Sequence, residues 1–417
     1  MLRAARQAGT ADRRCVFEMF ARRLPEGRRY GVVAGVGRAL RALRQFRFDG
    51  EAIQFLCDGG IVDAATADWL ADYRFEGNVW GYPEGEIYFP GSPVVIVEST
   101  FAQGVLLETL LLSIYNHDSA IASAGSRMTA MAGERPCIEM GSRRTQELAA
   151  VAAARAAYIV GFQATSNLEA GRRYGVPTSG TSAHAFTLLH GSEHDAFQAQ
   201  IAALGEGTTL LVDTYDVFAA VRTGVELTGG RLGAVRLDSG DLGLLAAQVR
   251  QLLDSLGATE TKIIVTSDLD EYTIAALAAA PVDGYGVGTA LVTGSGHPTC
   301  GFVYKLVARA EADGDDVPLM PVAKKSADKI SIGGRKHALR QLDRNGVAEA
   351  EVVGVGVQPA GDGGDRTLLT RLVHAGEVVG EEALDAARAR HRRTRAELPP
   401  EALKMSRGEP VIDTLYR

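Results

Sequence analysis

Cysteine is scarce in this chain: there are four, Cys15, Cys57, Cys137 and Cys300, far apart and never arranged as C-x-x-C. That spacing argues against a disulfide framework and against a zinc ribbon. Long apolar runs are missing too, and the cleanest stretch, Ile274 to Val282, falls far short of the ~20 residues a membrane span requires. Positive charge is in deficit, with 44 Lys and Arg against 51 Asp and Glu for a net charge of −7. No global basic field therefore draws in nucleic acid or an anionic membrane, and an anionic substrate must be met by arginines and lysines placed locally. The first ten residues are interrupted by charged and polar side chains, have no apolar centre and do not read as a secretory leader. The cytoplasm is the expected compartment.

What is present is the balance of an ordinary globular protein, 46% hydrophobic and 23% charged. The 417 residues exceed the size at which one core stops growing, about 250–300 residues, so two domains or a barrel with a substantial addition are expected. Residues 15 to 100 mix short β-type runs (Val16 to Phe20, Gly31 to Val36, Glu86 to Phe89, Val94 to Glu98) with turns at Pro25-Glu26-Gly27 and Tyr82-Pro83-Glu84-Gly85, the pattern of a compact α+β unit. Two helical segments follow, Phe101 to Asn116 and His117 to Met131.

From Ile138 onward short apolar runs alternate with helix-length segments, and each run ends in small or polar residues. Leu210 to Asp213, Ala234 to Asp238, Ile263 to Asp268 and Gly284 to Thr289 are the clearest units. Their ends at 213, 238, 268 and 288 lie 25, 30 and 20 residues apart, room for one strand and one helix each. Apolar strands with polar C-terminal ends match a parallel barrel or a doubly wound sheet. The barrel is preferred, because reactive residue types stand at the ends of several successive strands rather than at one switch point. The expected domains are 1–135, an α+β domain with helices leading to the barrel; 136–300, the α/β barrel with the active site; and 301–417, a C-terminal segment packing back on the first. A late helix over Glu381 to Glu397 carries Arg388, Arg390, Arg392, Arg393 and Arg395, which read as a solvated face.

The strand ends carry the chemistry. Gly288-Thr289 ends a run in a manner that lets backbone N–H groups approach a phosphate, with a hydroxyl added; a tight βα turn explains the glycines equally well. Arg236-Leu237-Asp238-Ser239-Gly240-Asp241 offers a guanidinium, carboxylates and a hydroxyl within one turn. Ser239 or Asp241 can cap the helix beginning near Leu242, but capping does not account for Arg236 and Asp238, which alternate along the strand and share a face. Thr181 and His184 follow a strand expected over Tyr174 to Val176, and Arg143 with Arg144 opens an Ala-rich helix after the strand Ile138 to Met140. Together they suit a sugar phosphate.

At these residues the sequence closely resembles the nicotinate phosphoribosyltransferase family, through Gly141-Ser142-Arg143-Arg144, Ser166-Asn167, Gly180-Thr181-Ser182-Ala183-His184, Leu211 to Asp216, Arg236 to Asp241 and Gly286-Val287-Gly288-Thr289, over about Val16 to Lys336. The resemblance implies an irregular phosphoribosyltransferase-type α/β barrel with an additional α+β domain built from N- and C-terminal segments, and a homodimer. It implies that nicotinate and phosphoribosyl pyrophosphate give nicotinate mononucleotide and pyrophosphate with coupled ATP hydrolysis, in NAD salvage. His184 then resembles the histidine that ATP phosphorylates, Thr181 a nicotinate contact, and Arg236 the fork facing the nicotinate carboxylate. Gly288 and Thr289 resemble the ribose-phosphate grip, and Arg143, Arg144, Ser239 and Gly240 the remaining donor contacts. Asp238 is a catalytic candidate for the ribose hydroxyls or Mg²⁺, which is expected to arrive with substrate rather than at a fixed protein site. Lys305, Lys324, Lys325, Ser326, Lys329 and Lys336 also fall in family-like sequence, without single roles, and exposure would explain the lysines as well.

Members usually begin with a Thr-Asp-x-Tyr-x-Leu-Thr-Met-type segment whose Tyr stacks on nicotinate across the dimer. The chain starts at Met1 inside that segment, without the stacking Tyr. Either the start codon is misassigned or nicotinate binding is weaker, by about 0.5–1.5 kcal/mol for a lost aromatic stack. Two other readings share the same residues: a nicotinamide or quinolinate phosphoribosyltransferase, and a truncated structural partner in a mixed oligomer.

Overall fold

The computed structural model describes residues 1–314, 316–324 and 331–417, in two compact units, one of residues 121–298 and one of residues 1–120 with 299–417. Lys325, Ser326 and Lys329, singled out above, lie outside the described residues.

The 121–298 unit is built on βα alternation. Six short strands, β1 (Cys137–Glu139), β2 (Ala164–Thr165), β3 (Thr209–Leu211), β4 (Ala234–Leu237), β5 (Lys262–Val265) and β6 (Gly284–Val287), pair in parallel throughout. Their order across the sheet is β2-β1-β6-β5-β4-β3. The first and last strands of the classical alternation, β1 and β6, are thus neighbours, while β2 and β3 are edges: the sheet curls into an open half-barrel. Leu211, Val235, Leu237, Ile263, Val265 and Val287 are essentially unexposed, as parallel strands covered on both faces demand. Each strand stops where the apolar residues stop, which leaves Asp213, Asp238, Asp268 and Gly288 in the loops at one end.

Two expectations are corrected in this region. Tyr174 to Val176 is not a strand: Tyr174 ends the helix Leu168–Tyr174, whose start is capped by Asn167 and whose end is fixed by Gly175 at φ 69. Tyr174 and Val176 suggested extension, but the Asn167 cap and a left-handed glycine eight residues later, Gly175, set helix limits more strongly. Phe101 to Met131 is one helix, Phe101–Ala132, not two, since nothing at Asn116-His117 breaks the backbone ladder.

In the other unit a seven-stranded antiparallel sheet runs in the order Leu319–Pro321, Phe302–Ala310, Arg14–Ala21, Val95–Thr100, Asn78–Gly81, Thr370–His374, Glu377–Val378. Three adjacent strands from the N-terminal part of the chain therefore form the centre of the sheet, with two C-terminal strands on either side. A four-stranded sheet of Arg366–Thr367, Lys336–Leu342, Ala348–Val355 and Asp413–Tyr416 accompanies it. The run Gly31 to Val36 is strand only to Val32, because Val36 already starts the helix Val36–Gln45. Lys336, whose exposure the sequence leaves open, is buried, with Nζ 2.7 Å from Glu18 Oε2. Burial raises the Glu18 carboxyl despite the lysine's opposing charge. Within the helix Leu384–Ala396, Arg392 and Arg393 are exposed, whereas Arg390 is fastened to Glu382 and to the Glu84 carbonyl, all at 2.7 Å. No helix among the described residues is long and apolar enough to cross a membrane.

Candidate active site

The loops that follow β1, β4, β5 and β6 enclose a cleft of about 140 Å³. Arg143 and Arg144 reach it from a single 3₁₀ turn, Ser142–Arg144, just past β1. Arg236 and Asp238 come from the end of β4, Thr266, Ser267 and Asp268 from beyond β5, and Gly288 and Thr289 from beyond β6. Met140 is the one apolar side chain of the lining besides the glycines. Gly286 is required beside it, because a Cβ there would sit 2.5 Å from Thr266 Cγ2 and 2.8 Å from Met140 Sδ. The adjacency of β1 and β6 is what brings the arginine turn alongside Gly288-Thr289.

Arg236 is held before any substrate arrives. Its Nε donates to Thr266 Oγ1 at 2.9 Å, Nη1 to Thr181 Oγ1 at 2.7 Å and Nη2 to Asp238 Oδ1 at 2.9 Å. A guanidinium carries five N–H groups, so these three bonds leave one N–H on each terminal nitrogen, the pair that a planar carboxylate accepts. Thr266 also donates through its hydroxyl to Asp238 Oδ1. Burial pushes the Asp238 carboxyl up, but the Thr266 hydroxyl, the charge and hydrogen bond of Arg236 and the charge of His184 outweigh it and hold the group below its ordinary value.

His184 opens the short helix His184–Leu189. Its ring stands between two groups from the loop after β3: Nδ1 is 3.1 Å from Thr214 Oγ1 and Nε2 is 3.9 Å from Asp213 Oδ1. The imidazole is 43% exposed and the Asp213 side chain only 3%, so a buried carboxylate backs a solvent-facing ring. Asp213 Oδ1 has no hydrogen-bond partner, while Oδ2 accepts from Asp238 N at 3.1 Å and Ser239 Oγ at 2.7 Å. A chain of contacts thus runs from His184 through Asp213 and Asp238 to Arg236 and Thr181.

Of the residues the sequence singled out, Arg143, Arg144, Arg236, Asp238, Gly288 and Thr289 share the cleft. Thr181 and His184 are not part of its lining but join it through Arg236 and through Asp213. Ser239 is exposed and turned onto Asp213, and Gly240 beside it takes φ 84. Asp241 provides the helix cap, accepting from Leu244 N at 3.1 Å. Sequence reasoning passed over Thr266, Asp268 and Asp213 as site residues, although each is the polar residue just past a parallel strand. It also passed over Glu139, fully buried beneath the arginine turn, which accepts from Gly141 N and Thr165 Oγ1. Burial raises its carboxyl against those two bonds. Among the described residues no three His, Cys, Asp or Glu side chains converge so as to hold a metal ion alone.

The chain matches two family models, the nicotinate phosphoribosyltransferase N-terminal domain over residues 1–116 and the nicotinate phosphoribosyltransferase family over residues 136–345. It is 56% identical to nicotinate phosphoribosyltransferase pncB1 of Mycobacterium tuberculosis, over 99% of this chain and 92% of that one. It is 38% identical to nicotinate phosphoribosyltransferase of Bacillus subtilis, over 81% of this chain and 70% of that one. Among solved structures it superposes on human nicotinic acid phosphoribosyltransferase with a TM-score of 0.85 and 26% identity, covering all of this chain and 96% of the other. The chain belongs to the nicotinate phosphoribosyltransferase family.

Proposed function

We propose that this family member joins nicotinate to the ribosyl carbon of phosphoribosyl pyrophosphate, releasing pyrophosphate, in NAD biosynthesis. One observation carries the assignment of acid rather than amide: Arg236 is fixed by three neighbours and retains one N–H on each terminal nitrogen. Such a fork pairs with a carboxylate through two charge-assisted bonds, and a carboxamide, which carries no charge, loses most of that gain.

In the chemical step the pyridine nitrogen bonds to C1 of the ribose as the C1–O bond to pyrophosphate breaks, the electron pair leaving with pyrophosphate. An oxocarbenium-like state spreads positive charge over the ring, as in other glycosyl transfers. Positioning and stabilisation of the departing charge dominate such a reaction. Arg143 and Arg144 face the pyrophosphate, the Gly288-Thr289 backbone and hydroxyl hold the 5′-phosphate, and Asp238 accepts from the ribose hydroxyls. Mg²⁺, when bound, neutralises charge on the leaving group; Asp238 and Asp268, the two carboxylates in the lining, are the residues that would hold it.

His184 is the proposed acceptor of the ATP γ-phosphate, forming a phosphohistidine whose hydrolysis drives synthesis. The surroundings fit that role. With its proton on Nε2, toward the buried Asp213 carboxylate, the ring presents the Nδ1 lone pair, which at rest accepts from Thr214. The finer fold assignment, an irregular phosphoribosyltransferase barrel, rests on the β1–β6 adjacency.

A homodimer is supported by exposed apolar side chains of the 121–298 unit, Leu168, Leu188, Leu189, Tyr215, Leu244 and Tyr272, each more than half exposed, of which Leu168, Tyr215, Leu244 and Tyr272 follow the C-terminal ends of β2, β3, β4 and β5. We infer a cytoplasmic location, where the four unpaired cysteines stay reduced. Initial rates with nicotinate, nicotinamide and quinolinate, each with phosphoribosyl pyrophosphate, test the substrate. Nicotinate is expected to be strongly preferred, and preference for either competitor refutes the assignment. Incubation with γ-labelled ATP is expected to give an acid-labile label that His184→Asn abolishes.

A further inference from the structure

Two of the three non-glycine residues with positive φ among the described residues flank the cleft. Ser267, in its lining, has φ 110, and Ser295, in the turn Gly294–Gly296 just after the helix Thr289–Val292, has φ 51. Such conformations cost energy and persist where the surroundings over-determine them. One buried group ties the two segments together. Glu271 follows the Ser267–Asp270 loop and is 3% exposed. Its Oε2 accepts from the Ser295 hydroxyl at 2.6 Å, while Oε1 lies 3.2 Å from Nε of the buried Arg127, on the long helix. The Ser295 N–H donates to the carbonyl of Ala290, the residue after Thr289, at 2.6 Å. On the other side Leu269 N donates to Ser267 O at 2.9 Å, and Asp270 Oδ1 caps the Glu271 helix through Thr273 N at 2.7 Å.

We infer that the buried Arg127–Glu271 pair, acting through Ser295, is a positioning unit that sets the gap between the Ser267–Asp268 loop and the Gly288–Thr289 loop, and with it the grip on the phosphorylated donor. Neither charged group of the pair lines the cleft, so both act through others. A purely stabilising role is a weak explanation, since a buried ion pair seldom gains more than it loses in desolvation. A pair that fixes two strained loops in one register has a geometric purpose instead. This inference rests on the phosphoribosyl-transfer reading given above and deepens it.

Ser295→Gly is the discriminating variant, because glycine adopts φ 51 without steric cost and only the hydroxyl is lost. The expected result is a KM for phosphoribosyl pyrophosphate raised about tenfold, about 1.4 kcal/mol, with the KM for nicotinate within twofold of wild type and only a modest fall in Tm, since relief of the positive φ offsets part of the bond lost to the buried Glu271. Ser295→Asn, tolerated in the left-handed region and able to donate to Glu271, restores most of the donor affinity. Calorimetric binding of magnesium pyrophosphate to wild type and Ser295→Gly, which needs no turnover, weakens in the same ratio. Equal pyrophosphate affinity in the two proteins, or none in either, overturns the inference. Wild type that binds pyrophosphate yet fails to convert nicotinate overturns the functional reading instead, and leaves the loop coupling to be judged by the binding ratio alone.

Discussion

Arg236, Thr266 and Asp238 form a three-membered ring of contacts in which each side chain fixes the other two. Arg236→Lys keeps the charge but loses the fork, so the KM for nicotinate should rise tenfold or more, reflecting about 1.5–3 kcal/mol for bonds to a charged group. The KM for phosphoribosyl pyrophosphate should change far less, and equal changes in both would place Arg236 on the sugar phosphate. Thr266→Val removes the hydroxyl that helps hold the Asp238 carboxyl low. Because a depressed carboxyl keeps its charge until pH falls through its folded value, losing that hydroxyl moves the loss of charge to higher pH. The acid limb of kcat/KM against pH should therefore shift upward in Thr266→Val, and an unmoved limb would mean that Asp238 ionisation does not govern it.

At the scale of elements the loops matter more than the strands they extend. Gly286 lies within β6, and Gly286→Ala would press a methyl against Thr266 and Met140. Overpacking of that kind costs about 1–3 kcal/mol, and the displaced Thr266 should carry Arg236 with it, so both Tm and nicotinate affinity are expected to fall. The runs ending at Asp213, Asp238, Asp268 and Gly288 were legible in the sequence because parallel strands are apolar until they stop, and the polar residue past each end is where a site is built. That signal led to Arg236, Asp238 and Thr289 directly. It did not lead to Thr266 or Glu139, whose roles depend on which strand lies beside which: Glu139 meets Thr165 through the β1–β2 pairing, and Thr266 meets Arg236 through the β4–β5 pairing. Nor did local pattern reveal the unbroken helix from Phe101 to Ala132, since a polar Asn-His step interrupts apolar spacing without interrupting the backbone. The capping choice between Ser239 and Asp241 was equally open until Asp213 was seen to engage the serine.

Taken as a whole molecule, the chain combines a parallel unit made of consecutive residues with a unit assembled from its two ends. The second unit carries a buried histidine, His391, whose ordinary value near 6.5 is lowered to about 3, chiefly by burial and further by the charges of Arg395 and Arg388, against a backbone bond to Gly85. Its stabilising effect is complete above the unfolded value, about 6.5, and drains away as pH falls toward the folded one. The urea midpoint should therefore drop between pH 7 and pH 5, and His391→Gln should show a shallower drop; parallel curves would remove His391 from the account. The sheet itself has a consequence for how the protein is made. Arg14–Ala21 leaves the ribosome well before its neighbour Phe302–Ala310, which emerges only after the entire 121–298 unit. Until then the nascent chain carries a strand with one unsatisfied edge, the kind of surface that aggregates or recruits a chaperone. Translation speed and chaperone supply, more than sequence changes near the cleft, should govern how much of the enzyme reaches its native state in a cell.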